Sequence, residues 1–253
     1  NHGTLTNMDP ATDWVPQKGG GVDFDGTDDF INCGNGPTLN ISGEISLVAI
    51  VSIKTPEYGA VIGKWDASAG KDSYLLFTYS ANPQFAIYVR DPSATSDHLD
   101  SSVVEQGVFQ FVVGVFKPSE YLRVFLAGEL DTEKSTAIAS LATVSTPVRM
   151  GRYGSQYANI QVSLAMIYSR TLSPDEIRWL YQEPYAMFLT PAKRAYFYIP
   201  LGVAKAYEAD VLLKKLDIEK TYTTDVLLQK KDITSTYPVD ALLAATLSQD
   251  VSV

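Results

Sequence analysis

Short segments of strand-forming residues recur at regular intervals along the first 170 residues of the chain. The longest, residues 45–53, is apolar and β-branched and has no signal that would start a helix. Clusters of Gly, Pro, Asn and Ser separate such segments, as at residues 80–83 and 117–120. Many short strands divided by turn residues are typical of antiparallel sandwiches. The sequence therefore predicts an all-β fold, either a sandwich or a jelly roll.

One segment has the features of a short helix instead. Ser173 is a favoured N-cap residue, Pro174 suits the first helical position, and Glu176 completes a capping box with the serine. Ile177 and Leu180 then fall on one face. We expect a short amphipathic helix that lies on the sandwich.

Composition excludes several classes of function. The net charge of −9 opposes binding to the phosphates of nucleic acid. A single cysteine, Cys33, leaves no intrachain disulfide and no cysteine-based zinc site, and two histidines do not make a histidine-rich one. No run approaches the roughly 18 consecutive apolar residues of a membrane span, so we expect no membrane insertion. The chain opens at Asn1 in a strand-like stretch, and we expect an upstream portion to precede it.

A different pattern begins after residue 206, where Tyr-x-x-Asp followed by three apolar residues recurs every 15 residues. Because this period is odd, a straight strand would turn its inward face outward in alternate copies, so each copy needs a turn or bulge. The sequence predicts a β-repeat segment over residues 201–253. The repeat positions are Tyr207, Asp210, Val211 and Leu213, then Tyr222, Asp225, Val226 and Leu228, then Tyr237, Asp240 and Leu243.

A segment of this length cannot bury both faces of its strands alone. It resembles the 15-residue repeats of the triple β-spiral shafts of viral fibres, where three chains share one core. Those shafts carry Gly or Pro at the turn, whereas Pro238 is the one such residue in these copies. Three arrangements stay open: assembly with copies of itself as a homotrimer or in a larger assembly, packing onto the sandwich, and a flexible tether.

Several motifs follow one another over residues 1–182. They are an opening strand at 1–7, the sequence GVDFDGTDDFI at 21–31, paired strands at 111–116 and 122–128, MGR at 150–152, and IYSRTLS at 167–173. Together they resemble the laminin-G-like domains of the concanavalin A-like jelly-roll superfamily. The tail at 180–188 is similar to phage and environmental bacterial members. With the strand pattern, the resemblance implies an all-β, two-sheet antiparallel jelly-roll sandwich over residues 1–200. It also implies a lectin-like domain at a virion surface or an extracellular or cell surface.

Glycan binding needs an aromatic platform with a few convergent polar groups. Side chains near predicted turns supply the candidates for this ligand-binding site: Tyr58, Trp65, Arg90, Tyr153 and Tyr157. Any one aromatic residue is more often part of a core than of a ligand platform, and Trp65 is expected to be half in the core.

Calcium is the metal that the resemblance implies, because family members often bind it at a sandwich edge. Asp25, Asp28 and Asp29 offer the hard oxygen ligands that Ca²⁺ prefers. Ser163 and Leu164 stand where relatives carry a second acidic group. The alternative is that Asp25 and Asp28 are turn residues that bind their own backbone.

A catalytic alternative rests on Glu129, Asp131 and Glu133. Retaining glucanases of the superfamily carry an E-x-D-x-E strand with its three carboxylates on one face. In this chain the acids follow Gly128, where laminin-G-like domains turn a hairpin, and no Trp is near in sequence. We predict a solvated hairpin tip and no enzyme activity.

The predicted function is that of a non-enzymatic structural or adhesive surface protein, a virion fibre, spike or capsid-decoration component. Two alternatives remain at this point. One is a carbohydrate-binding or adhesion module of a secreted bacterial surface protein, and the other is a glucanase-like glycoside hydrolase.

Overall fold

The computed structural model describes residues 3–16, 20–68, 70–79 and 82–186. Within these ranges the chain consists of antiparallel strands and one short α-helix, which confirms the predicted all-β sandwich. The predicted repeats at 201–253, with all their named positions, and the boundary at residue 200 lie outside the described residues.

Two seven-stranded sheets form the described part of the sandwich. In sheet I the order in space is β1 (Thr4–Thr6), β4 (Phe30–Asn32), β13 (Arg149–Met150), β6 (Gly59–Lys64), β7 (Tyr74–Thr78), β8 (Phe85–Arg90) and β9 (Ser96–Asp100). In sheet II it is β12 (Glu129–Ser135), β11 (Tyr121–Leu126), β10 (Gln110–Lys117), β5 (Ile45–Ile53), β16 (Asn159–Tyr168), β3 (Gly21–Asp25) and β2 (Trp14–Val15). A separate ribbon pairs β14 (Arg152–Tyr153) with β15 (Gln156–Tyr157).

The long apolar segment predicted at residues 45–53 is the central strand β5 of sheet II. It pairs with β10 on one side and β16 on the other, and all nine of its residues are buried. Its side chains alternate: Leu47 and Val51 pack between the sheets, whereas Val48 and Ile50 pack on the outer face of sheet II. Because both faces are covered, seven of its nine residues are apolar, and the two serines, Ser46 and Ser52, are buried as well.

The helix α1 (Pro174–Gln182) covers that outer face. Its capping box forms as predicted, with Ser173 Oγ accepting from the Glu176 backbone N–H and the Glu176 carboxylate accepting from the Ser173 N–H. The guanidinium of Arg170 and the Ser173 N–H lower the pKa of Glu176 to about 2. Ile177 and Leu180 are buried against sheet II. No described helix has the length and hydropathy needed to cross a membrane.

A buried lysine joins two connections to sheet I, the one between β4 and β5 and the one between β12 and β13. Lys64, at the end of β6, is 1% exposed, and its Nζ donates to Asn35 Oδ1, Asn40 Oδ1 and the carbonyl oxygen of Val144. Burial lowers the pKa of this ammonium group. Three oxygen acceptors satisfy the three N–H donors of the ammonium group. Lys64 therefore holds these connections against the end of β6.

Candidate functional site

The outer face of sheet I carries a cluster of aromatic rings, which we call the aromatic patch. Along β7 and β8, Leu76 and Ile87 point between the sheets, whereas Phe77 and Tyr88 point outward. Phe77 lies at the centre, with its ring centroid 5.0–5.7 Å from four other rings. The patch consists of Tyr58, Trp65, Phe77, Tyr79, Tyr88 and Tyr153.

A depression of about 250 Å³ opens on this patch. Leu75 and all patch residues except Tyr79 line it. Tyr58 is the most open of the rings: it stacks on Phe77 with centroids 5.7 Å apart, yet it is 45% exposed. Trp65 is 8% exposed, so it is more deeply buried than the half-core position expected for it. The depression therefore has one freely accessible ring and a wall of supporting rings.

The hydroxyl groups of the patch are hydrogen-bond donors at neutral pH. The Tyr79 and Tyr88 hydroxyls share a hydrogen bond of 2.9 Å, and burial raises the pKa of both. Burial also raises the pKa of Tyr153 to about 12, with smaller contributions from Tyr58 and Tyr88. These phenols stay protonated, so they can donate to the oxygen atoms of a ligand.

Charged groups beside the patch are paired with one another. The Arg90 guanidinium lies 5.2 Å from the centre of the Trp65 ring and forms an ion pair with Asp72. Asp72 also accepts from the Asp66 backbone N–H at 2.8 Å, and Asp66 pairs with Arg149 at 3.2 Å. Arg90 therefore covers one side of Trp65, and its charge is balanced by the network that holds this loop.

A second depression, of about 440 Å³, adjoins the first and is polar. We call it the polar groove. Its lining consists of Gly26, Thr27, Glu57, Tyr58, Ser155, Gln156 and Tyr157. Tyr58 belongs to both depressions.

The structure thus brings the five predicted ligand residues into one region. Tyr58, Trp65 and Tyr153 line the first depression, Tyr157 lines the polar groove, and Arg90 lies against Trp65. A role for them in binding stays a prediction.

Sequence reasoning missed half of the aromatic patch. Phe77, Tyr79 and Tyr88 were not among the predicted ligand residues, nor was His98, which stacks on Tyr88 with ring centroids 4.5 Å apart. The available signal was the period of two: once Leu76 and Ile87 are placed inward, the residues next to them must face outward.

The three predicted calcium ligands also meet. Oxygen atoms of Asp25, Asp28 and Asp29 lie within 4.8 Å of one another. The turn alternative is observed too, because Asp25 Oδ1 accepts from the backbone N–H groups of Thr27 at 2.7 Å and Asp28 at 3.4 Å. Asp29 is 3% exposed, and burial raises its pKa to about 6, with the neighbouring carboxylates adding to the effect. A hard divalent cation fits this set, since it would offset the clustered negative charge.

Ser163 does not occupy the position inferred for a second ligand group. Asp25 pairs with Asn159 across the β3–β16 ladder, whereas Ser163 Oγ contacts the carbonyl of Gly20 at the opposite end of β3. The side chain at position 163 therefore says nothing about whether the aspartate loop holds a cation.

Comparison with known proteins identifies the fold. The family model described as the concanavalin A-like lectin/glucanases superfamily (Laminin_G_3) matches residues 25–178. The chain belongs to this superfamily. A search of curated proteins finds no match.

Solved structures similar to this superfamily member are binding domains of toxins. The binding domain of Paraclostridial Mosquitocidal Protein 1 aligns with a TM-score of 0.56 at 9% identity, over 69% of this chain and 47% of that one. The botulinum neurotoxin serotype D binding domain gives 0.55 at 13%, over 73% and 46%, and the serotype G domain gives 0.54 at 9%, over 73% and 45%. At these identities the likeness shows the fold, and this chain spans just under half the length of each neighbour.

Because the superfamily includes glucanases, the arrangement of the three acids at 129–133 bears on whether they could hydrolyse a glycoside. The expected hairpin turn forms at Gly128 and Glu129 lies exposed beside it, whereas Asp131 and Glu133 lie further along strand β12 and not at the tip. A bulge at Asp131 interrupts the alternation that would align the carboxylates. Each acid is also engaged: Glu129 with Arg178 at 3.0 Å, Asp131 with the Ser102 N–H at 2.7 Å, and Glu133 with Arg123.

Proposed function

We propose that the sandwich is a non-enzymatic, glycan-binding adhesive module and that the aromatic patch is its binding site. The observation that carries the proposal is the open ring of Tyr58, which is held by Phe77 beside protonated tyrosine hydroxyls. The apolar face of a sugar ring packs on an aromatic face, while its hydroxyl groups need nearby hydrogen-bond partners. The similarity to toxin binding domains supports a binding role.

The arrangement of the acids on β12 supports a non-enzymatic role. Glycoside hydrolysis requires two carboxyl groups that flank one bond and remain free to act as acid and nucleophile or base. In β12 a bulge at Asp131 breaks the alternation that would place the three carboxylates on one face. Glu129 pairs with Arg178, Glu133 pairs with Arg123, and Asp131 accepts a hydrogen bond from a backbone N–H.

We also propose that the aspartate loop holds Ca²⁺. Asp25, Asp28 and Asp29 would be its ligands, and the ion would compensate the buried charge of Asp29. The loop includes Gly26 and Thr27, which line the polar groove, so a bound cation would stiffen one wall of that groove.

The test of the binding site is a Tyr58→Ala variant on an array of neutral and acidic glycans, followed by calorimetry with the best ligand. We expect the affinity to fall at least tenfold, because the one freely exposed ring of the patch is lost; tenfold corresponds to about 1.4 kcal/mol. Tyr181→Ala is the matched control, since Tyr181 is 46% exposed and lies on α1 against the other sheet. Equal affinities for the wild type and Tyr58→Ala would contradict the proposed site.

The C-terminal repeats support a more specific setting. We propose that they join chains into a homotrimer, as in a virion fibre, spike or capsid decoration, with a bacterial surface adhesin as the second candidate. We expect light scattering of the full chain to give three times the monomer mass of 27.7 kDa. A monomer mass at all concentrations would contradict assembly and leave packing onto the sandwich and a flexible tether as the remaining arrangements.

A further inference from the structure

The polar groove is joined to the aromatic patch by a close approach between two strands. A Cβ atom on Gly59 would lie 2.3 Å from Ala158 Cβ, so the backbones of β6 and the segment before β16 are nearly in contact. This approach sets Tyr58, which precedes Gly59, next to Tyr157, which precedes Ala158. The two depressions therefore share the Tyr58 ring as their common wall.

The groove presents polar groups that are available to a ligand. Glu57 is half-buried, and its Oε2 lies beside Gly26; Gln156 is exposed at the start of β15. Within the described ranges, no hydrogen bond or ion pair engages the side chain of either residue. Both can exchange bound water for sugar hydroxyl groups without breaking an interaction inside the protein.

The charge of the groove selects against acidic ligands. Glu57 is the one charged side chain among the described residues that line the two depressions. No cationic side chain is among the described lining residues of either depression. Two guanidinium groups lie over lining rings: that of Arg152 is 5.1 Å from the centre of the Tyr157 ring, and that of Arg90, which is paired with Asp72, is 5.2 Å from the centre of the Trp65 ring. A carboxylated sugar would meet like charge there.

The two depressions also differ in size and character. The first, about 250 Å³, is smaller than the roughly 300–1,000 Å³ typical of ligand pockets, and it is aromatic. The second, about 440 Å³, is open and hydrophilic. A stacking position next to a hydrogen-bonding position suits two consecutive sugar units of an oligosaccharide better than one monosaccharide.

We infer that the joined depressions bind a neutral oligosaccharide of two or more units, with one unit stacked on Tyr58 and the next held by Glu57 and Gln156. This inference rests on the proposed glycan-binding function and specifies its ligand class. Glu57 acts as a hydrogen-bond acceptor and Gln156 as both donor and acceptor, the combination that recognises hydroxyl groups.

The experiment titrates the full chain, by calorimetry, with glucose, galactose, cellobiose, maltose, lactose and 3′-sialyllactose. We expect a neutral disaccharide to bind at least tenfold more tightly than its monosaccharide, and 3′-sialyllactose to bind no more tightly than lactose. Glu57→Ala should lower disaccharide affinity about fivefold to tenfold and leave monosaccharide affinity unchanged, as expected for loss of one charged hydrogen-bond partner. Glu105→Ala, which removes an exposed carboxylate elsewhere, should change neither.

The outcomes separate the two proposals. Equal effects of Glu57→Ala on mono- and disaccharides, or tighter binding of 3′-sialyllactose than of lactose, would overturn the inference while glycan binding at Tyr58 stands. Disaccharide binding that Tyr58→Ala leaves unchanged would overturn the proposed site itself. Failure of every sugar to bind here and on the array would overturn the proposed function.

Discussion

Replacing Gly59 with alanine lowers the melting temperature of the protein by about 6–12 °C, the shift that corresponds to roughly 3 kcal/mol for a domain of this size. The added Cβ would lie 2.3 Å from the Cβ and 2.5 Å from the Cα of Ala158. Ala158 is fully buried, and its Cα belongs to the backbone, so no side-chain rotation relieves the overlap. The strands must move apart, and that movement loosens packing between the sheets.

Thermal unfolding followed by circular dichroism measures this effect. Gly43→Ala is the matched control, because nothing lies within 4 Å of a Cβ at that position. Adding Ala158→Gly to the Gly59 variant removes the nearest overlapping atom, the methyl group, but leaves the backbone of residue 158 in place, so we expect partial recovery. A Gly59→Ala melting temperature equal to that of the control would show that β6 and the segment before β16 are not closely packed.

Replacing Asp29 with asparagine stabilises the protein at pH 7.5 in the absence of calcium, by up to about 3 kcal/mol. The pKa of Asp29 is raised from 3.8 to about 6 in the folded state. A raised carboxyl pKa means that the folded state binds the proton more tightly than the unfolded state does. The contribution of protonated Asp29 to the free energy of unfolding is therefore complete below pH 4 and is lost as the pH rises through 6. Asparagine carries no charge, and it can still accept the hydrogen bond from the Asp25 N–H.

Chemical denaturation of the wild type and the variant from pH 3.5 to pH 8 tests this sign. We expect the difference to vanish near pH 3.5 and to be largest above pH 6. Asp91→Asn is the control with the opposite sign, because hydrogen bonds from Ser93 and Thr95 lower the pKa of Asp91. If Ca²⁺ binds as proposed, it stabilises the wild type at pH 7.5 more than it stabilises Asp29→Asn. A variant that is equally destabilised at every pH would contradict the cost assigned to the buried carboxylate.

Local sequence rules placed most of the strands and the helix. The apolar run at 45–53 predicted β5, and the spacing of Ser173 and Glu176 predicted the start of α1, because capping depends on residues three positions apart. The three aspartates of the loop were also found this way, since they are close in sequence. The hairpin-tip assignment was correct for Glu129, which flanks the turn, and wrong for Asp131 and Glu133, because the length and the bulge of a strand depend on its pairing partner.

The sequence by itself determined the class of fold, the order of its strands along the chain, and the residue types available for binding. Only the tertiary structure decided that Tyr58 stacks on Phe77 and lines the same groove as Tyr157. The period of two says which residues share a face of one strand, but it does not say which face is outward or which strands are neighbours. Those depend on sheet order and on the close approach of Gly59 to Ala158, and both arise from packing between segments that are distant along the chain.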